Sequence, residues 1–465
     1  MTQGSPMKVI TVFALPMILS NLFQQLYNVA DSMIIGRYLG MDPFAAVGST
    51  GMVTAVLVQV STGLALGGSI VISQMYGAGM KSRIKYCAAT LSMFMAAFGF
   101  LCTVAALLFS PTLLSLIHTP ETLMADADIY LRIYSAGCVP VFIYNALGSV
   151  YSALGNSRTP LRFLIISSAT NIVLDVFLIV QVEMGIAGAA AATVISQTVA
   201  MIMSIYDIPR LLRSLREEET DLSLAFGGRV SLLTLFDWEL LITMLRFAAP
   251  AAIQQSIVSV GSVVVQATIN SFGTIVMAAC AGASKIINLT TVVAINYSNA
   301  FSSYVGQNIG ARKIDRIYDG LQASLLCCGG ISLVMTVLLE VFAKPLMGLF
   351  VSGENAADAI ATGAVYIRVT GAFLILFAFY MLTKAVFKGS GDMGWFLFVT
   401  LLSFAIRLVL TTFLAPRVGV FMIWWSGGIG WVIAYLVSLI HFSRGGWKNK
   451  RVLERIHDQV STDKK

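Results

Sequence analysis

Long apolar segments are the feature that most limits the folds open to this chain. A helix needs about 20 predominantly apolar residues to cross a bilayer core of about 30 Å. Twelve such segments follow one another along the 465 residues, and we expect each to be one membrane-spanning helix. They are residues 9–36, 44–75, 86–109, 128–154, 160–181, 186–208, 244–271, 276–305, 318–342, 361–387, 394–415 and 420–442.

The composition supports an all-α integral membrane protein. Only 11% of the residues are charged, whereas soluble domains carry about 25% charged residues, so most of the surface must face membrane lipid. The net charge of +7 is spread over short loops and the C-terminus, which argues against nucleic acid as a partner. Without a Walker loop, HExxH or GxSxG motif, we expect neither an enzyme nor a cofactor. An ion gradient is then the expected energy source.

The two halves of the chain repeat each other. Residues 69–84 (SIVISQMYGAGMKSRI) and 302–317 (SSYVGQNIGARKIDRI) match at six positions with an offset of 233, or 302 − 69. Each half holds six predicted spans, an even number, so both start on the same side as parallel repeats, which usually enclose a cavity that opens to each side in turn. The predicted parts are an N-terminal six-helix lobe (1–208), a cytoplasmic linker (209–243), a C-terminal six-helix lobe (244–443) and a cytoplasmic tail (444–465).

Loop charges predict the orientation. Basic residues concentrate in alternate loops, and loops rich in Lys and Arg stay in the cytoplasm. Both termini and the linker are therefore predicted to be cytoplasmic. The basic loops contain Lys81, Arg83 and Lys85, Arg158 and Arg162, Arg210, Arg213 and Arg216, and Arg312, Lys313 and Arg316.

Two carboxylates stand inside predicted spans. A charged Asp at the centre of a membrane helix costs about 2.5–3.5 kcal/mol, so such residues usually have a function. Asp31 shares a helical face with Gln24 and Asn28, which we expect to line the cavity, and Asp175 follows Asn171 by one turn. Counting a rise of about 1.5 Å per residue places Asp31, Asp175 and Thr193 at one depth. Such oxygens suit Na⁺ or a shared proton; the alternative is that each Asp caps or bridges helices.

The C-terminal half carries a polar stripe without a carboxylate. Helical spacing aligns Gln255, Ser259, Ser262 and Gln266 in the seventh span, and we expect them to line the cavity unless they serve helix packing. Gln197 of the sixth span and Asn288 of the eighth join this predicted lining. Lys285 reads as a buried base without an obvious partner, whereas Lys384 and Lys388 are expected to extend to the cytoplasmic interface. These assignments rest on position in the sequence alone.

The sequence resembles the MATE (multidrug and toxic compound extrusion) family over nearly its whole length, and is most similar to its prokaryotic, MepA-like branch. The stretches that carry the resemblance are FALPMILSNLFQQLYNVADSMIIGRYLG, ALGNSRTPL, NIVLDVFLI, GIAGAAAATVISQ and YVGQNIGA. The resemblance implies two six-helix lobes in a V, in the cytoplasmic membrane of a prokaryote. It also implies a monomer that exports amphipathic cations in exchange for Na⁺ or H⁺.

The resemblance implies which residues form the ion-coupling site. It also leaves more than one transport function open. Family positions for the N-lobe cation site fall on Asp31, Asn171, Asp175 and Thr193, with Na⁺ as a possible ligand. Acidic positions that some NorM-type members use fall here on Val258 and Phe377, which argues against a C-lobe carboxylate site. A lipid-linked oligosaccharide flippase of the same superfamily is the alternative function. A membrane-embedded enzyme is disfavoured, because paired acidic metal motifs are absent from the sequence.

Overall fold

The structure is a computed structural model that describes residues 1–117, 119–214, 235–350 and 356–449, and within these ranges all regular elements are helical. Apolar runs with few helix breakers explain the length of the helices. The fifteen α-helices are α1 Pro6–Tyr38, α2 Met41–Gly77, α3 Lys81–Leu116, α4 Glu121–Ala136, α5 Cys138–Ala153, α6 Arg158–Val176, α7 Gly185–Ser214, α8 Trp238–Asn270, α9 Thr274–Gly310, α10 Ile314–Gly348, α11 Ala356–Ala372, α12 Leu374–Ser390, α13 Met393–Val409, α14 Ala415–Val418 and α15 Phe421–Arg444.

The membrane spans confirm the predicted fold class. Among the described residues, ten helical segments are long and apolar enough to cross a membrane, and two bent helix pairs raise the number to twelve. The pairs are α4 with α5, bent by 47°, and α11 with α12, bent by 46°. Residues 128–154 and 361–387 were each predicted as one span, with Pro140 as a candidate kink in the first, and the structure breaks these spans at Gly137 and Phe373.

The first break has a local cause in the sequence. Proline has no backbone N–H, so it fits best in the first turn of a helix, where that donor would have no helical partner. Pro140 is the third residue of α5, a position in the first turn that breaks no helical hydrogen bond. A Cβ on Gly137 would lie 2.8 Å from Val194 Cγ2, so this turn also requires a glycine. The second break contains no proline, but the repeat relates it to the first, since the offset of 236 between Tyr144 and Tyr380 leads from Gly137 to Phe373.

The repeat extends to an uncommon backbone feature. Five-residue π-helical turns follow α6 at Phe177–Gln181 and α13 at Leu410–Leu414. Their starting residues differ by 233 (410 − 177), the offset that relates the two repeated sequences. π-helical turns are rare and occur frequently at functional sites. Both halves therefore share this deviation from α-helical geometry.

The contacts divide the chain into two compact units. One unit comprises Met1–Ile18 with Ile253–Lys465, and the other comprises Leu19–Ala252. We call them the C-unit and the N-unit. Helices α1 and α8 each pass from one unit to the other, two residues after Pro16 and two residues after Pro250. The lobe bounds predicted from the repeat stay a prediction, and most of the linker and tail lies outside the described residues.

Small residues let helices of the N-unit approach closely. A Cβ on Gly67 of α2 would collide with the carbonyl oxygen of Met244 and would lie 2.9 Å from Ala248 N, both in α8. A Cβ on Gly63, one turn earlier, would lie 3.2 Å from Ala252 Cα. Helices in membranes associate largely through such close packing. Gly67 therefore fixes the distance between α2 and the N-unit part of α8.

Candidate functional site

Asn171 and Asp175 form a buried polar pair on α6. They are one helical turn apart, and both side chains are fully buried. With the Asn171 amide oriented to satisfy both its ends, its nitrogen donates to Asp175 Oδ2 at 2.8 Å. Its oxygen accepts from the backbone N–H of Thr193 on α7 at 3.2 Å. The pair therefore joins α6 to α7 at the level of Thr193.

Asp31 of α1 lies next to the pair formed by Asn171 and Asp175. Its carboxyl group and that of Asp175 are hydrogen-bonded to each other. An ionised carboxylate only accepts hydrogen bonds, so the two groups can hydrogen-bond each other only when one of them carries a proton. The structure thus brings together Asp31, Asn171, Asp175 and Thr193, which belong to three different helices.

The acid pair leaves two oxygens without partners. Asp31 Oδ1 and Asp175 Oδ1 are buried and accept no hydrogen bond from any described residue. Buried polar atoms are nearly always satisfied, and an exception asks for an explanation such as a missing ion or water. Hard cations prefer oxygen ligands. The free carboxylate oxygens are therefore the atoms of this site that would bind Na⁺ or a second proton.

The sequence analysis missed Tyr27. The hydroxyl of Tyr27 is hydrogen-bonded to the Thr193 side chain. Thr193 Oγ1 in turn donates to the carbonyl oxygen of Ala189 at 3.2 Å, so Tyr27 is the donor to Thr193. Tyr27 precedes Asp31 by four residues, so its position on the face of Asp31 was available from helical spacing. A tyrosine in an apolar run is more typical of packing, which is why the signal was overlooked.

Two aromatic residues of α4 lie near the acid pair. Tyr130 is 6% exposed, and its ring stacks on that of Tyr134 with centroids 6.0 Å apart. Tyr130 also belongs to an apolar cluster formed with residues of α1, α2, α3 and α7. Tyr130 therefore connects the neighbourhood of the acid pair to this apolar cluster.

The other predicted N-unit residues have different environments. Gln24 and Asn28 are exposed, and Gln197 is half-buried. The backbone carbonyl of Asn28 accepts from Ser32 Oγ at 2.8 Å. Their amides therefore differ from Asn171, which is fully enclosed. A cavity-lining role for these three residues stays a prediction.

The predicted stripe of the C-unit is less buried than the acid pair. Gln255 and Ser259 are half-buried, whereas Ser262, Gln266 and Asn288 are exposed. Ser259 Oγ donates to the Gln255 carbonyl at 2.9 Å, and Ser262 Oγ donates to the Val258 carbonyl at 2.8 Å. The hydroxyls therefore bond within their own helix and do not join it to a neighbour.

Lys285 differs from its predicted environment. The side chain is exposed, and Nζ lies 5.8 Å from the ring centroid of Phe350, in the range of a cation–π contact. The expectation of a buried base without a partner is therefore wrong. The misjudgement came from its position in an apolar segment, which does not reveal which side of a helix faces outward.

The C-unit has no acid at the repeat-equivalent place. Adding 233 to Asp175 and Thr193 gives Leu408 and Ser426, and the offset of 234 between Pro16 and Pro250 relates Asp31 to Val265. Val265 belongs to an apolar cluster with Leu408 packed against it. Ser426 Oγ accepts from Thr411 Oγ1 at 3.1 Å. The two units therefore share a fold but differ in polarity at this place.

Sequence comparison shows which known proteins this chain is similar to. The sequence profile of the MatE family matches residues 16–177 and 250–413. The chain is 27% identical over 452 residues to the probable multidrug resistance protein YpnP of Bacillus subtilis, covering 96% of this chain and 97% of the relative. It is 21% identical over 392 residues to the multidrug export protein MepA of Staphylococcus aureus, covering 84% of each.

Solved structures match over nearly the whole chain. A crystal structure of MATE in a bent conformation aligns with a TM-score of 0.84 and 22% identity, covering 98% of each chain. A point mutant of the Vibrio cholerae MATE transporter VcmN aligns with a TM-score of 0.84 and 22% identity, covering 95% of this chain and 98% of that one. These likenesses establish the fold.

Proposed function

The chain belongs to the MatE family of transporters, and we propose that it exports amphipathic organic cations in exchange for Na⁺ or H⁺. It is a multi-pass membrane protein and not an enzyme. The single observation that supports ion coupling most strongly is the pair Asp31 and Asp175, hydrogen-bonded to each other with one free oxygen each.

The acid pair supports a mechanism of mutual exclusion. When the acids are ionised, the N-unit attracts a cation, either the coupling ion or the drug. Binding of Na⁺ or a proton neutralises that charge, so a cationic drug loses its electrostatic attraction and is released. Coupling further requires that the ion favours one conformation, since an ion with equal affinity for both conformations shifts nothing. Alternating access then converts the ion gradient into export.

The relatives support the proposed cargo. YpnP is described as a probable multidrug resistance protein and MepA as a multidrug export protein. A cavity that takes varied cations needs adaptable apolar walls, and flexible Met-rich surfaces provide such walls. The chain contains 21 Met and 27 Phe residues. We therefore favour lipophilic cations over one specific metabolite.

Transport in proteoliposomes tests the proposal. The full-length protein is reconstituted, and efflux of ethidium is recorded with a Na⁺ gradient and a H⁺ gradient imposed separately. We expect at least one gradient to drive efflux. If neither gradient drives efflux of a panel of lipophilic cations while the protein moves a lipid-linked oligosaccharide, the flippase function replaces the proposed one.

A further inference from the structure

Lys384 is a buried cation in the C-unit. Its side chain is 9% exposed, and Nζ lies 5.1 Å from the ring centroid of Tyr380 and 5.4 Å from that of Phe396. It stands six residues before the end of α12 at Ser390, about 9 Å along the helix. The ammonium therefore lies against two aromatic rings, and its extension to the cytoplasmic interface stays a prediction.

A second lysine lies one turn further along α12. Lys388 is half-buried, and its Nζ donates to Asn299 Oδ1 at 3.0 Å. Among the described residues, neither ammonium forms an ion pair with a carboxylate. Asp392, four residues after Lys388, pairs with His441 Nε2 at 2.8 Å. The two lysines are therefore neighbouring amines whose aromatic and amide contacts carry no negative charge.

The repeat shows that packing does not require these lysines. The offset of 236 between Tyr144 and Tyr380 relates Lys384 to Gly148 and Lys388 to Ser152. A Cβ on Gly148 would meet no atom within 4 Å. The N-unit thus builds the same helix with a glycine beside open space. The charge was added in the C-unit alone.

We propose that Lys384 and Lys388 form a binding site for a phosphate-type oxyanion. Ionisable residues within a membrane span are rare and usually mark the path of a substrate or ion. Side chains four residues apart lie on one helical face, with Cβ atoms about 6 Å apart, so both ammonium groups can donate to one phosphate. Hydrogen bonds between charged groups are about twice as strong as neutral ones. The Asn299 amide, already bonded to Lys388, lies beside the same site.

The phosphate can come from two sources, and binding distinguishes them. It belongs either to the headgroup of an anionic phospholipid or to a soluble phosphorylated compound. The inference goes beyond the proposed export of cations and does not depend on it, because binding is measured without transport. A negative binding result would therefore not contradict cation export, and a negative transport result would not contradict phosphate binding.

A thermal-shift measurement on the full-length protein tests the site. The protein is purified in a neutral maltoside detergent, and its Tm is measured with inorganic phosphate, with phosphatidylglycerol, and with NaCl and phosphatidylcholine as matched controls at equal ionic strength. Ligands that bind only the folded state raise Tm. We expect phosphate or phosphatidylglycerol to raise Tm by about 2 °C or more beyond its control. A rise with the lipid alone identifies a headgroup site, and a rise with phosphate identifies a site for soluble compounds.

Substitutions locate the effect. In the double variant Lys384→Gln, Lys388→Gln the shift should disappear, whereas Lys384→Arg should keep it and Lys285→Gln, an exposed lysine of the same unit, should not change it. If the double variant does not purify, Lys388→Gln alone should at least halve the shift. The proposal is overturned if neither ligand exceeds its control, or if the double variant, or Lys388→Gln in its place, keeps the full shift.

Discussion

The carboxyl groups of Asp31 and Asp175 hydrogen-bond each other although the residues lie 144 positions apart (175 − 31). The contact joins α1 to α6, and each group keeps one buried oxygen without a partner. Two adjoining carboxyl groups with free acceptor oxygens can bind or release a cation or proton at those oxygens. This property makes the pair suitable for coupling an ion gradient to a conformational change.

Neutralising the acids tests that coupling. Asp31→Asn and Asp175→Asn preserve shape and remove only the charge, so we expect folded protein with an intact elution profile in size-exclusion chromatography. Coupling free energies between two sites are typically 1–3 kcal/mol, or about 5–150-fold. The double variant should therefore lose at least about tenfold in the initial rate of gradient-driven ethidium efflux from proteoliposomes.

The matched control for this test is Asp42→Asn. Asp42 lies in the first turn of α2 and is exposed, so its charge is screened by solvent and should not affect efflux. Unchanged gradient-driven efflux in the well-folded double variant would place the coupling site elsewhere in the chain.

Gly67 and Gly48 offer a matched pair for the packing of α2. Both lie in this helix, but a Cβ on Gly67 would collide with the backbone of α8, whereas a Cβ on Gly48 would meet no atom within 4 Å. Overpacking costs typically about 1–3 kcal/mol and more when backbone must move. Gly67→Ala should therefore lower the Tm in detergent and the yield of monodisperse protein. Gly48→Ala should leave both unchanged, and equal Tm values for the two variants would contradict the close approach.

Cysteine labelling tests the predicted orientation. Lys313 lies between α9 and α10 in a basic loop, and Glu183 lies between the first π-helical turn and α7. The distribution of basic residues predicts that Lys313 faces the cytoplasm and Glu183 the outside. A membrane-impermeant maleimide should label Glu183→Cys in intact cells and should label Lys313→Cys only after lysis, with the parent chain as the blank. The opposite pattern would invert the topology.

Helical periodicity predicted the fold well and the contacts between helices less well. Apolar runs and the repeat gave the spans within a few residues at most ends, because burial in lipid constrains every residue of a span. The bend at Phe373 was missed because no proline lies there, and the nearby Gly371 is also compatible with a continuous helix. Lys285 was expected to be buried and is exposed, whereas Lys384 was expected near the interface and is buried. The sequence does not show how each helix is rotated about its axis. That rotation depends on packing with helices distant in the chain.

Depth along a helix was more informative than polarity for the acid pair. Counting residues placed Asp31, Asp175 and Thr193 at one level, and in the structure Asp31 meets Asp175 while Asn171 links Asp175 to the Thr193 backbone. Polarity alone favoured Gln24 and Asn28 as companions of Asp31, and both are exposed. The amide side chains can reach water-accessible space, whereas the phenol of Tyr27 combines an apolar ring with one hydroxyl and fits a mostly apolar interior.

Tyr27→Phe tests whether the phenol takes part in ion binding. The substitution keeps the ring and removes the hydroxyl that donates to Thr193 Oγ1. No buried donor is left unsatisfied, because Thr193 still donates to the Ala189 carbonyl, so the protein should fold. A hydrogen bond contributes about 1 kcal/mol, and its loss loosens α1 against α7 beside the acid pair. The concentration of the driving ion that gives half-maximal efflux should therefore rise by about fivefold, with a smaller effect on the maximal rate.

Tyr206→Phe, which alters a phenol that is 77% exposed on α7, is the control. If Tyr27→Phe and Tyr206→Phe show the same ion dependence, the Tyr27 hydroxyl contributes to packing and not to the ion site.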